Sequence, residues 1–274
     1  MKNKKSVTCL ILFIMVVVSS AFGEKTANSK IKEETVTYAV GNTVFKGFIA
    51  YDETLKGKLP AVLVVPEWWG MTEYPKMRAR QLAALGYIAL AVDMYGNGKI
   101  ADNPTEAQAL TTPFYSDPKI SKTRIDAGIS KIKEYKQTDP ANIFAIGYCF
   151  GGGVVLNAAK LGADLKGVVS FHGNLKGAPA NKELLKAKIL VCQGGSDKYS
   201  PEADQKMFKH QLDSIGAKYY FITYPGAMHA FSNPDATELG KKFNMAIEYN
   251  KAADMDSWKD MKKFLSSLIV KNRY

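Results

Sequence analysis

Scarcity narrows this sequence before any motif does. Three cysteines occur in 274 residues and no two of them form a C-x-x-C pair, which argues against a thiol-redox protein. Only three histidines are available, so an imidazole base has to be His172, His210 or His229. No run of five like charges exists, and the lysines behind the formal net charge of +11 are scattered, for example Lys56, Lys58, Lys131, Lys133, Lys182 and Lys186. Scattered charge of this kind reads as a solvated basic surface and not as a nucleic-acid tail, so no nucleic-acid partner is expected. Internal repeats, low-complexity tracts and linkers are missing too, and one domain is expected.

The apolar run near the N-terminus is short as well. Val7 to Val18 spans 12 residues, where a bilayer-crossing helix needs roughly 20. Lys2, Lys4 and Lys5 precede it and the small-x-small triplet Ala21-Phe22-Gly23 follows it. This order reads as a secretory signal over residues 1–23, cleaved near Gly23, with no stable membrane insertion afterwards. Cys9 lies inside the run and not at its end, so it is no lipid anchor. The mature chain is then a single domain over residues 24–274, secreted or periplasmic, and its net charge drops from +11 to +8 with the three leader lysines. Two cysteines remain, and an oxidising compartment would pair them by default. Cys192, however, closes the apolar strand Lys188-Ile189-Leu190-Val191 and reads as a small buried core residue. A bridge from it would consume the other thiol, for which the sequence has a better use.

That use is set by Gly147-Tyr148-Cys149-Phe150-Gly151. The apolar stretch Ala141–Ile146 precedes it as a strand, and Gly152–Ala159 follows as a helix start. Strand, sharp turn and helix make a nucleophile elbow, here with Cys where Ser usually stands. The turn strains the central residue and exposes its side chain, and a Cβ on either flanking glycine would strike a neighbouring element.

The rest of the chain alternates strand and helix. A Gly41-Asn42 hairpin joins Thr35–Val40 to Val44–Tyr51. Strands are expected at Ala61–Val65, Tyr87–Val92, Ile143–Ile146, Gly167–Phe171, Ile189–Cys192 and Tyr219–Thr223, and helices at Pro75–Leu85, Ile120–Lys136, Gly152–Leu161, Pro201–Ile215 and Met245–Leu268. This predicts an α/β fold, a mostly parallel central sheet with helices on both faces and the functional residues just after strands.

A cysteine nucleophile needs a base, a group to orient that base, and donors for the oxyanion. His229 follows a late strand through Pro225-Gly226-Ala227-Met228, the place where this fold delivers its base. His172 ends the strand after the elbow helix and lines the pocket at most, and His210 lies mid-helix. Asp197, in Gly194-Gly195-Ser196-Asp197, completes the order nucleophile, acid, histidine; its plainer role would be a turn or cap. Asp93 precedes the nucleophile and would break that order, so it reads as a loop support. The oxyanion donors fall to the N–H groups of Phe150 and of Trp68, the latter from the loop Pro66-Glu67-Trp68-Trp69-Gly70. Glu67 is odd there, either a plain loop acid or a charge that regulates the thiol.

Together, Pro66–Gly70, Asp93-Met94-Tyr95, Gly147–Gly152, Gly195-Ser196-Asp197 and Gly226–Phe231 resemble the motifs of the dienelactone hydrolase family, in its order and over essentially the whole mature chain. The resemblance implies an α/β-hydrolase fold and a cofactor-free Cys-His-Asp hydrolase of small ester or lactone substrates, with no metal. It implies that Glu67 contacts the resting thiol and yields to substrate, and it puts Trp69, Tyr95, Tyr148, His172, Tyr199 and Phe231 around the pocket. In one respect the chain departs from the family. Asn97 and Asn233 stand where arginines hold the substrate carboxylate, and neutral amides cannot replace bidentate guanidinium forks. A neutral or differently shaped ester therefore competes with dienelactone as the expected substrate.

Overall fold

The computed structural model describes residues 29–269; the expected leader and cleavage site and the last five residues lie outside them. Two ten-residue strands come first, β1 (Ile31–Val40) and β2 (Thr43–Asp52), joined through Gly41 at φ 56°. They pair antiparallel, and β2 then pairs antiparallel with β4 (Ile88–Ala91). From β4 onward every neighbour is parallel: β3 (Leu59–Val65), β5 (Thr138–Tyr148), β6 (Gly167–Phe171), β7 (Lys188–Gly194) and β8 (Tyr219–Tyr224). The spatial order β1-β2-β4-β3-β5-β6-β7-β8 makes one eight-stranded sheet, the mostly parallel sheet of an α/β-hydrolase fold.

The strands at the centre are continuous apolar runs because both faces are covered. One face carries α3 (Lys119–Lys133) and α4 (Phe150–Lys160), with Ile125, Ile129 and Ile132 presenting a helical stripe to Leu63, Val65 and Val92. The other carries α1 (Glu73–Ala83) and α7 (Lys251–Leu268), with Leu82, Met261 and Leu265 packed on Val62, Phe144 and Leu190. Among the described residues no helix is long and apolar enough to cross a membrane.

Two elements differ from the sequence expectation. Pro104–Ser116 forms a helix, α2, which was not anticipated; Asn103 caps it by accepting from the Glu106 N–H at 3.0 Å. The run Met245–Leu268 is not one helix. A separate helix α6 spans Ala236–Phe243, Asn244 turns left-handed at φ 52°, and α7 starts only after Asn250 caps it through the Ala253 N–H. The remaining helix, α5, spans Glu202–Ser214. The short extended link between α6 and α7 runs beside the segment after β8, with the Glu248 N–H bonded to the His229 carbonyl at 3.1 Å and the Asn250 N–H to that of Phe231 at 2.9 Å.

Candidate active site

The turn after β5 leaves no room for side chains on its flanks. A Cβ on Gly147 would lie 2.0 Å from the Gly151 carbonyl oxygen, and one on Gly151 would lie 2.4 Å from that of Val65. Between them Cys149 takes φ 52°, ψ −115° as the residue that opens α4. Only a backbone fixed by its surroundings holds a non-glycine residue there. The result is a half-buried thiol at the carboxyl end of the sheet and at a helix N-terminus, where partial positive charge gathers.

The turns after β7 and β8 bring two more groups to it. His229 Nε2 lies 3.1 Å from Cys149 Sγ, and its Nδ1–H donates to Asp197 Oδ2 at 2.9 Å. Asp197 is held in turn by Gln193 Nε2 at 2.7 Å and by the Tyr199 N–H at 2.8 Å, so both of its oxygens are engaged. Burial works against a charged His229, but the Cys149 sulfur and the Asp197 carboxylate outweigh it and hold the imidazole well above its usual value.

Trp68 and Phe150 border the same cavity of about 330 Å³, as do Glu67, Trp69 and Tyr199. Glu67 is 4 % exposed. Its Oε2 accepts from Asn233 Nδ2 at 2.6 Å, its Oε1 has no hydrogen-bond partner among the described residues, and burial pushes the carboxyl up to about 7. The contact with the resting thiol that the family resemblance implies is therefore not made here: the sulfur faces His229 and the carboxyl faces Asn233.

Four residues expected around the pocket lie behind its wall instead. Tyr148 is fully buried and stacks on Phe171 at 4.8 Å. Phe231 is fully buried against His172 and Tyr224. Tyr95 turns its hydroxyl to the Trp68 carbonyl at 2.9 Å, bracing that loop from behind. His172 is fully buried at φ 41°: its Nδ1 accepts from the Cys149 N–H at 3.1 Å, and its Nε2 lies 2.7 Å from Ser232 Oγ. Burial above all, then His229 and Arg78, press it well below its usual value, so the ring is neutral and donates from Nε2.

Neither Arg78 nor Arg124 reaches the cavity. Arg78 is buried on α1, bonded to the Ser232 carbonyl at 2.6 Å and to Asp254, while Arg124 lies over the Phe45 ring. Asp93 supports a loop, accepting from the backbone N–H groups of Lys46, Tyr95, Gly96 and Gly98; Asn97, in that loop, does not line the cavity either. The reverse error also occurs, since sequence reasoning missed Ala236 and Leu239 of α6 and Met245 and Ile247 of the link, which form an apolar wall. Asn244 and Asn250 were the available signal, each a residue type that ends or starts helices.

The family model for the dienelactone hydrolase family matches residues 45–269. Two relatives carry the name "Putative carboxymethylenebutenolidase". The one from Methylorubrum extorquens is 31% identical over 187 residues, 64% of this chain and 64% of the relative. The one from Escherichia coli K12 is 28% identical over 224 residues, 75% of this chain and 76% of the relative. The chain thus spans just under two thirds of the Methylorubrum protein. A crystal structure of a dienelactone hydrolase-like promiscuous phosphotriesterase from metagenomic libraries is similar at a TM-score of 0.82 and 28% identity, covering 88% of this chain and 99% of that one.

Proposed function

The chain belongs to the dienelactone hydrolase family, and from that premise we propose that, once its leader is removed, it hydrolyses small ester or lactone substrates through a thioester on Cys149. The observation that carries this reading is the unbroken line of hydrogen bonds from Asp197 through His229 to the Cys149 sulfur.

The thiol proton passes to His229 Nε2, whose imidazolium the site favours, and the sulfur then attacks the carbonyl carbon. The carbonyl oxygen becomes an oxyanion, received by the N–H groups of Phe150 and Trp68. Such donors contribute roughly 3–4 kcal/mol each because they are in place before charge develops. The tetrahedral species collapses, the C–O bond to the alcohol breaks, and the leaving oxygen takes its proton from His229. Water then gives a proton to His229 and adds to the thioester, and breaking the C–S bond returns the thiol and releases the acid. Asp197 keeps Nδ1 protonated throughout, so that Nε2 always faces the reaction. For a lactone the leaving alcohol stays attached and the product is a hydroxy acid.

A panel of short aryl esters and lactones, assayed with wild type beside Cys149→Ala, tests the reading. Turnover is expected in wild type and lost in the variant; turnover that survives in Cys149→Ala would move the nucleophile elsewhere.

A further inference from the structure

The cavity is bordered by two acids, Glu67 and Asp197, and by His229, whose imidazole is held between Asp197 and the Cys149 sulfur; no lysine or arginine is among the described residues that line it. Asp197 is committed to His229, Gln193 and the Tyr199 N–H, whereas Glu67 Oε1 is buried beside the cavity with no hydrogen-bond partner among the described residues. Arg78, behind the wall, is committed to the Ser232 carbonyl and Asp254. Asn233 donates to Glu67 through Nδ2, and its Oδ1 accepts from the Asp235 N–H at 3.0 Å. A substrate carboxylate entering here would be stripped of water and face Glu67, with no lysine or arginine to meet it and with both nitrogens of His229 already taken by Asp197 and the Cys149 sulfur, an arrangement that desolvation makes costly.

Part of the wall is apolar. Ala236 and Leu239 come from α6, Met245 and Ile247 from the link to α7, and Trp69 is wedged among them, stacked on Phe243 at 5.5 Å. Methionine adapts to irregular shapes, so such a wall takes arms of differing outline. The cavity's volume of about 330 Å³ lies at the small end of the usual range for ligand pockets.

We propose that this wall is the subsite for an uncharged apolar arm of the ester, and that the pocket discriminates against substrates carrying a carboxylate on that arm. The proposal rests on the thioester reading above for its choice of substrate but not for its test. Hydrolysis of p-nitrophenyl butyrate and hexanoate is compared with that of p-nitrophenyl esters of the same chain length ending in a carboxylate. In parallel, the second-order rate of Cys149 alkylation is measured with N-hexyl iodoacetamide and with its ω-carboxylated counterpart. The neutral member of each pair should react at least tenfold faster in kcat/KM and in alkylation rate. Lengthening the neutral chain should raise kcat/KM by up to about fifteenfold per pair of methylenes until the cavity is full, as each buried methylene is worth about fourfold. Leu239→Arg, a change at a half-buried position, should narrow or invert the charge preference, with Leu239→Met as the size-matched control. Equal or better reaction of the carboxylated reagents with wild type overturns the subsite, whatever the hydrolysis result. Preference for the neutral alkylating agent with no ester turned over would retain the subsite and remove the proposed reaction.

Discussion

His229 and His172 sit edge to face with ring centres 5.2 Å apart, and the structure drives them in opposite directions. Both are largely removed from water, so burial alone cannot separate them. His229 lies between the Cys149 sulfur and the Asp197 carboxylate, and its imidazolium is favoured. His172 has only neutral partners, the Cys149 N–H and Ser232, with the positively inclined His229 and Arg78 nearby, and its imidazolium is disfavoured. What decides the protonation of a buried imidazole here is the sign of its neighbours. One ring is set to exchange protons; the other holds still beneath the elbow.

The largest break in this comparison is on the His229 side. His229→Ala should lower kcat by on the order of 10⁵-fold, and Asp197→Asn by about 10⁴-fold through loss of the productive tautomer. Steady-state ester turnover reads both, and an Asp197→Asn enzyme within tenfold of wild type would remove Asp197 from the orienting role. Glu67 extends the comparison to an acid. With its carboxyl raised from 4.5 to about 7, the folded protein holds a proton that the unfolded chain has released over that window. Wild-type stability should therefore fall as pH climbs from 4.5 to 7, and Glu67→Gln should escape the fall. The gap between them should widen by up to about 3 kcal/mol and level off above pH 7. Urea midpoints across pH 4.5–8 would show it, and a constant gap would contradict it.

The smallest effect is the most specific to the pair. His229, raised when folded, adds stability that is complete below pH 6.5 and is lost as pH rises through its folded value. His172, lowered when folded, leaves the protein fully stable above pH 6.5, and that stability is lost as pH falls toward its folded value. His229→Gln should accordingly flatten the stability profile on the alkaline side of 6.5, and His172→Gln on the acid side. Thermal unfolding of the three proteins between pH 5 and 8 checks this, and matching slopes for the two variants would mean that the rings are not distinguished.

Much of this was legible because the elbow obeys steric rules that residue types reveal directly. Gly147 and Gly151 mark where the chain is too crowded for a Cβ, and strand endings predict which loops converge. Side-chain direction was harder to read. Tyr148 adjoins Cys149 yet points into the core, because neighbours along an extended chain face opposite ways, and Phe231 lies two residues past His229 but turns into the core beyond Ala230, which is left-handed at φ 58°. The helix boundary near Asn244 was missed because Met245 and Ile247 continue an apolar pattern that a helix would also show. What ends α6 is the left-handed turn of an asparagine, and an asparagine tolerates that turn without demanding it.

The link from Met245 to Asn250 has a consequence for how such an enzyme can change. Its backbone steadies the histidine loop at the His229 and Phe231 carbonyls, while Met245 and Ile247 shape the wall that the substrate meets. A lineage that explores new substrates through this stretch disturbs the His229 loop at the same time, so under the proposed chemistry novelty and speed are tied together there. Leu239 faces the same cavity from a helix that makes no such backbone bond to His229. Drift in taste without loss of pace has its opening on that helix.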